Sequence, residues 1–256
     1  MRYFWAALQF ETRLHFKDQP DLTAEDLGHG TRYFPLVGLV VGGISLLAGK
    51  ILLHTLGWTP FTTAVLALLP LAVTGGLHAD GFMDTMDGVL SCRDRERMLA
   101  IMKDSRVGSY GVLAFVGWLL LYWSMLLSMP PGLALTAACI APVIGRLGMV
   151  RALASYPYAR KTGMGQVFAQ MADWRTVRYA TITTVLISIF WGWAGLLALL
   201  GGLLMASEMA RHLAEKLDGL TGDTYGCIEL MSEAAVLLVI MLYASWSGQT
   251  AQGILL

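Results

Sequence analysis

The 256-residue chain is strongly apolar: 56% of its residues are hydrophobic, 14% are charged, and its mean hydropathy is +0.59. Soluble domains carry about a quarter charged residues, so this composition argues against a soluble protein and predicts an integral membrane protein. The 18 basic residues only balance the 18 acidic ones. That balance argues against a nucleic acid partner, because such binding usually depends on a surplus of Lys and Arg.

The N-terminal segment carries several acidic side chains and has no small-residue cleavage pattern behind an apolar core. The sequence therefore predicts no cleavable signal peptide. Within this segment, residues 3–16 read YFWAALQFETRLHF and form a stripe of aromatic and aliphatic side chains. A helix of this kind can lie flat in the membrane interface or pack on its own bundle, and the stripe alone favours neither.

Long apolar segments follow, each near the roughly 20 residues that a helix needs to cross the hydrocarbon core. They lie at residues 33–56, 60–79, 109–129, 132–150 and 226–246. A further segment, 179–210, is too long for one ordinary span. It contains WGWAG at 191–195, and this Trp and Gly cluster predicts an interfacial turn between two short helices.

The positions of Lys and Arg set the expected topology. Of the 18, only Lys50 lies elsewhere: the others lie before the first span or in and beside the loops 80–108, 151–178 and 211–222. Basic loops are cytoplasmic as a rule, so the segment 179–210 must cross twice. The sequence thus predicts an all-α integral membrane protein. It would be a single-domain polytopic helical bundle over residues 1–256, with about seven transmembrane helices, a cytoplasmic N-terminus and an external C-terminus.

The most unusual stretch is HADGFMDTMDG, residues 78–88, directly after an uncharged run. Helical steps of about 100° place Asp80, Asp84 and Asp87 on one face. Three like charges on one face repel each other, so the arrangement is favourable only around a cation. Oxygen ligands favour Mg²⁺, with Mn²⁺ as the alternative ion. The competing interpretation is the solvated end of a span, balanced by the arginines that follow.

The same stretch carries other informative residues. Gly81 and Gly88 leave room for a backbone or a phosphate to approach closely. His78 lies on the opposite face of the helix, which predicts a packed histidine and not a metal ligand.

Several blocks of the chain resemble the cobalamin synthase family, the adenosylcobinamide-GDP ribazoletransferases. The longest is GGLHADGFMDTMDGVLSCRDRERMLAIMKDSRVGSYG at 75–111. The others, in the order of that family, are FWAALQFETR at 4–13, RYFPLVGLVVG at 32–42, YARKTGMGQVF at 158–168 and GLTGDTYG at 219–226. The chain departs from the family at LHF, residues 14–16, where relatives tend to have a proline-containing turn.

The resemblance implies the last assembly step of the cobalamin lower ligand. In that step, the ribose 3′-hydroxyl of α-ribazole, or of its 5′-phosphate, attacks the cobinamide-linked phosphoryl group of adenosylcobinamide-GDP, and GMP leaves. The acidic face would then hold Mg²⁺ at the cytoplasmic side of the inner membrane. The lipid bilayer is an expected partner, nucleic acid is not, and a homo-oligomer is left open.

Four residues of one cytoplasmic loop are candidates for holding phosphate oxygens: Arg160, Lys161, Gly163 and Gly165. The alternative is ordinary positive-inside charge, because a GxG spacing alone is weak evidence. Asp104 and Arg106 follow a short amphipathic helix and are expected to close over the substrate. For Arg93, Arg95 and Arg97 in the same stretch, ordinary solvated charge is an equally good interpretation.

Asp223 is the candidate general base or second metal ligand, and Asp87 is counted as catalytic as well as metal-binding. The alternative for Asp223 is capping of the last helix. Glu229 and Glu233 follow at i and i+4 within an apolar run, where ionisable groups usually face a partner. The expected partner is Arg146 or Arg151.

Two other functional classes fit the acidic face less well. A CDP-alcohol phosphotransferase also places aspartates on a membrane helix, but its D-G-x-x-A-R pattern is absent, since Asp84 and Thr85 stand at the Ala and Arg positions. A cation-coupled transporter would use the acids as an ion site. Transporters more often bind near the membrane midplane, whereas these acids gather at one face.

Overall fold

The computed structural model describes residues 1–17, 19 and 21–248. Within these residues the chain is helical and has no β-strand, which confirms the all-α prediction. The helices are α1 Arg2–Glu11, α2 Ala24–Gly30, α3 Phe34–Leu56, α4 Pro60–Thr74, α5 Leu77–Leu90, α6 Arg95–Ile101, α7 Ser109–Ser128, α8 Pro131–Ser155, α9 Met164–Met171, α10 Trp174–Phe190, α11 Gly192–Leu217 and α12 Gly222–Trp246.

Five helical segments in the described part are long and apolar enough to cross a membrane, and the bent pair α4 and α5 would make a sixth. The predicted break near residue 191 is confirmed, because α10 ends at Phe190 and α11 begins at Gly192 with a positive φ of 61°. α10 has 17 residues, which is short for a span. The count of seven therefore stays a prediction, as do the sides of both termini, and residues 249–256 lie outside the described part.

The predicted span 60–79 is not one continuous helix. α4 ends at Thr74, and α5 leaves it at an angle of 94°. Gly75 and Gly76 both adopt left-handed backbone conformations, with φ of 66° and 77°, which only glycine adopts without strain. The aspartates therefore lie on a separate helix and not on the end of the preceding span.

The centre of the bundle is α8, which is buried almost throughout from Ala134 to Leu153. Helices α3, α10, α11 and α12 surround it. Glycine allows the closest of these contacts: a Cβ atom added at Gly42 of α3 would lie 1.9 Å from the carbonyl oxygen of Cys139. Small residues at such crossings are typical of helices packed within a membrane.

The N-terminal helix packs on the bundle and does not lie free on the membrane. Ala6, Ala7 and Leu8 are buried, and Glu11 at its end is completely inaccessible. The chain leaves the helix without a proline: Thr12 is extended, and its hydroxyl accepts a hydrogen bond from the amide of Leu14.

Three loops between the long helices meet at one end of the bundle. The Nε of Arg95 donates to the carbonyl of Leu217 at 2.8 Å, and its Nη2 donates to the carbonyl of Ala159 at 3.1 Å. Tyr158 and Leu220 form an isolated parallel bridge. The basic loops thus share one side of the molecule, as the predicted topology requires.

Candidate active site

A cavity of about 780 Å³ opens where these loops meet. Its walls come from α1, α3, α5, α6, α8, α9, the loop 158–163 and the first turn of α12. Lys161, Thr162 and Gly163 form part of an exposed rim, whereas His78 and Tyr225 lie at a buried inner end. The cavity therefore has a polar, exposed mouth and buried side chains at its inner end.

Two carboxylates line this cavity, and a third lies beside them. Asp80 of α5 and Asp223 of α12 line it, and both lie near enough to Asp84 to repel its charge. The backbones of the two helices nearly touch, since a Cβ at Gly81 would lie 2.7 Å from the carbonyl oxygen of Asp223. This contact supports the expectation that Gly81 allows close approach, and it brings a carboxylate of the last helix to the acidic face.

Asp87 has a different environment from the other acids. One carboxylate oxygen accepts the amide hydrogen of Gly108 at 2.7 Å, and the other accepts that of Gly111 at 2.8 Å. A Cβ at Gly108 would lie 2.4 Å from Oδ1 of Asp87, and one at Gly111 would lie 2.5 Å from Oδ2. Asp87 thus binds the free amides at the start of α7, a structural task that sequence reasoning missed. Its metal-binding and catalytic roles stay predictions.

The remaining acids fit a magnesium ion by their chemistry. Among the described residues, no group of three His, Cys, Asp or Glu side chains forms a ready-made metal site. Mg²⁺ does not require one, because it commonly takes one or two carboxylates and completes its octahedron with water and substrate phosphates. Asp80 is exposed and Asp84 half-buried. Neither side chain hydrogen-bonds to a described residue, so their oxygens are available.

Asp223 pairs with a cation and does not cap its helix. Arg160 Nη2 lies 2.8 Å from Asp223 Oδ2, while the capping is done by Thr221, whose hydroxyl accepts the amide of Thr224. The capping interpretation of Asp223 is therefore wrong. The pair places one positive group beside these carboxylates in the cavity wall.

The loop glycines make room for an aromatic ring. A Cβ at Gly163 would lie 2.4 Å from the hydroxyl of Tyr158, and one at Gly165 would lie 2.7 Å from its ring. Burial raises the pKa of Tyr158, so its hydroxyl stays protonated and can donate. Both glycines line the cavity, as does Lys161. Lys161, Gly163 and Gly165, which the sequence grouped together, therefore lie at one cavity. Tyr158, which the sequence did not single out, lies among them.

Asp104 and Arg106 lie outside the cavity walls. Arg106 Nη2 lies 2.8 Å from Asp104 Oδ2, and the arginine side chain is 88% exposed. Hydrogen bonds from Arg106 lower the pKa of the Asp104 carboxyl to about 2. The structure does not bring this pair to the other candidates, and its predicted contact with substrate has no support from the geometry.

A buried charge network, formed by Glu11, His78, Arg146, Glu229 and Glu233, lies behind the inner end of the cavity. Arg146 Nε lies 2.7 Å from Glu11, and its Nη1 lies 2.8 Å from Glu229. The expected partnership of Glu229 with Arg146 is confirmed. The role of Glu11 was missed, although an acid on the buried stripe of the first helix was a usable signal. The predicted packing of His78 is also confirmed, since it is 6% exposed.

Comparison with known proteins identifies the family. A model described as cobalamin-5-phosphate synthase matches residues 3–241. The adenosylcobinamide-GDP ribazoletransferase of Desulfitobacterium hafniense is 38% identical, with 93% of this chain and 96% of the relative covered. The enzyme of the same name from Clostridium acetobutylicum is 33% identical, covering 91% and 93%. No solved structure matches. Since the match covers nearly the whole chain and confirms the resemblance of the sequence blocks, the chain belongs to the cobalamin-5-phosphate synthase family of enzymes.

Proposed function

We propose that this protein joins α-ribazole, or its 5′-phosphate, to adenosylcobinamide-GDP, giving adenosylcobalamin, or its 5′-phosphate, and GMP. The observation that carries the proposal is the meeting of Asp80, Asp223 and Arg160 at one cavity, with Asp84 beside them. Carboxylates and a cation side by side suit a diphosphate held through a metal ion. The names of the relatives supply the substrate.

The bonds balance in a single displacement. The ribose 3′-oxygen of the acceptor forms a bond to the cobinamide-linked phosphorus. The bond from that phosphorus to the bridging oxygen of the diphosphate breaks, and GMP leaves with that oxygen. The proton of the acceptor hydroxyl passes to a base, for which we assign Asp223, because Arg160 and the hydroxyl of Thr221 hold its carboxylate in place.

The side chains at the mouth mainly position and neutralise charge. Asp80 and Asp84 would hold Mg²⁺, with Asp223 close beside them. Such an ion neutralises the diphosphate and orients it for in-line displacement. Arg160 and Lys161 would contact the phosphate oxygens, and the protonated hydroxyl of Tyr158 would donate a hydrogen bond to them. Phosphoryl transfer requires little more from a protein than such positioning and charge neutralisation.

The proposed activity is tested with purified protein in nanodiscs, supplied with adenosylcobinamide-GDP, α-ribazole and Mg²⁺. GMP and adenosylcobalamin should appear in equal amounts, because one displacement produces both. Chelating the metal should stop both products together. The comparison reaction contains a CDP-alcohol and a lipid acceptor. If CMP were released there, and no corrinoid product formed from the first mixture, the protein would be a lipid synthase instead.

The proposed location is the inner membrane, with the cavity mouth on the cytoplasmic side, where the basic loops meet. Reporters fused after residue 216 and after residue 250 should therefore give cytoplasmic and external signals respectively. The reason is that α12, between these points, is a candidate span and the basic loop before it should stay inside. Signals from the same side at both positions would contradict this topology.

A further inference from the structure

The buried inner end of the cavity is distinct in chemistry from its charged mouth. Phe34, Phe168 and Tyr225 line it, and all three are at most 5% exposed. The ring centroids of Phe168 and Phe10 lie 4.8 Å apart, and those of Phe168 and Phe34 lie 5.9 Å apart. These rings form an aromatic wall, a surface suited to a flat apolar ring system.

Unused hydrogen-bonding groups lie beside this wall. The hydroxyl of Tyr225 and Oε1 of Glu11 are both buried, and neither has a hydrogen-bond partner among the described residues. Buried polar atoms of this kind are rare in proteins and call for an explanation. Both residues line the cavity, so a ligand inside it can supply the missing partner.

His78 lies beside one of these groups, Glu11, and beside Glu229 of the buried charge network. Its Nε2 lies 3.9 Å from Glu11 Oε1, and its Nδ1 lies 3.6 Å from Glu229 Oε2. A Cβ at Gly226 would lie 2.8 Å from the carbonyl oxygen of His78, so the start of α12 packs directly on this residue. Tyr225, the neighbour of Gly226, lines the same cavity as His78. The inner end thus combines an aromatic wall with a row of polar groups held in place by the buried charge network.

A nucleoside has this combination: a flat aromatic base joined to a sugar with several hydroxyl groups. We infer that the inner end of the cavity is the subsite for the acceptor nucleoside, with its base against the Phe10, Phe34 and Phe168 wall and its ribose hydroxyls bonded to Tyr225 and Glu11. This inference rests on the proposed function. It places the small acceptor inside and leaves the donor diphosphate, with its bulky corrinoid, at the open mouth beside Asp80 and Arg160.

The same arrangement brings the ribose of the acceptor and the diphosphate of the donor into one cavity. Tyr225 and Asp223 both belong to the first turn of α12 and both line the cavity, so a ribose bonded to Tyr225 shares that cavity with the carboxylate assigned as its base. Closing the cavity from the mouth with the larger substrate would exclude water from the phosphorus. The acceptor hydroxyl would then be favoured over water as the nucleophile.

The test is Tyr225→Phe, which removes one hydroxyl and keeps the ring. Losing one hydrogen bond should weaken the binding of α-ribazole alone, measured by equilibrium dialysis without donor, about three- to tenfold. The acceptor KM should rise by a similar factor, while the donor KM stays unchanged. Phe168→Leu should weaken acceptor binding about tenfold through the lost stacking, again without affecting the donor.

Tyr122→Phe is the matched control. Its hydroxyl is also buried and without a partner among the described residues, but Tyr122 lines none of the cavity, so acceptor binding should not change. If Tyr225→Phe behaved like Tyr122→Phe while the wild-type protein still released GMP, the subsite assignment would be overturned and the proposed function would stand. If Tyr225→Phe instead raised the donor KM and left acceptor binding unchanged, the inner end of the cavity would bind the donor, and the assignment to the acceptor would be wrong. A wild-type protein without turnover would reject the proposed function itself.

Discussion

Replacing Arg146 with methionine should destabilise the protein by about 3–5 kcal/mol, the usual cost of removing one partner from a buried ion pair. The Arg146 side chain is 1% exposed and lies within 2.8 Å of carboxylate oxygens of Glu11 and Glu229. Methionine fills much of the same volume, so the main loss is the positive charge. The buried carboxylates would then be uncompensated, and α1 would lose its anchor on α8. Thermal unfolding in detergent measures the effect.

Two further variants identify the cause of that loss. Arg151→Met, on the same helix but exposed, should leave the melting temperature nearly unchanged. Adding Glu11→Gln and Glu229→Gln to Arg146→Met should recover part of the stability, since replacing a whole buried ion network by neutral groups is often tolerated. A triple variant as unstable as the single one would show that packing, and not unpaired charge, makes Arg146 necessary.

Replacing Asp84 with asparagine should lower kcat on the order of 100- to 1000-fold, because a metal ion supplies several kcal/mol of transition-state stabilisation. Folding should survive or improve. Asp84 makes no ion pair or hydrogen bond with a described residue, and the substitution relieves its repulsion with Asp80 and Asp223. Mn²⁺ binding, followed by electron paramagnetic resonance in the absence of substrates, should weaken in parallel with the loss of turnover.

The matched control for this variant is Asp173→Asn. Asp173 caps α10 by accepting the amide of Thr176, and asparagine caps a helix about as well as aspartate. This variant should keep wild-type turnover, metal binding and melting temperature. If Asp84→Asn retained full activity across a magnesium titration, the metal site on α5 would be rejected, and the ion would have to bind elsewhere.

The sequence by itself determined the features that depend only on which residues follow one another along a short stretch of the chain. Apolar composition over stretches of about 20 residues is enough to indicate membrane helices, and steps of 100° per residue are enough to place Asp80, Asp84 and Asp87 on one face. The Trp and Gly cluster near residue 191 correctly divided one long apolar segment into two helices. Motif blocks in a fixed order were enough to recognise the family.

Only the tertiary structure decided which distant residues meet. Glu11 and Arg146 are 135 positions apart, and no pattern in either helix identifies the other as its partner. Likewise, the helical period of α5 predicts the same role for Asp87 as for Asp80. In the structure, Asp87 accepts hydrogen bonds from the amides of Gly108 and Gly111. Asp223, from α12, lies beside Asp80 and Asp84.

The physical reason is that contacts between helices depend on how closely their backbones can approach. At Gly81 and Gly226 the absence of a Cβ lets α5 and α12 nearly touch, and this contact brings Asp223 and Tyr225 of α12 to the same cavity as Asp80 and His78 of α5. A helical period records which way a side chain points from its own axis. It does not record which helix lies opposite or how near that helix comes. Both of these determine which side chains meet at the site.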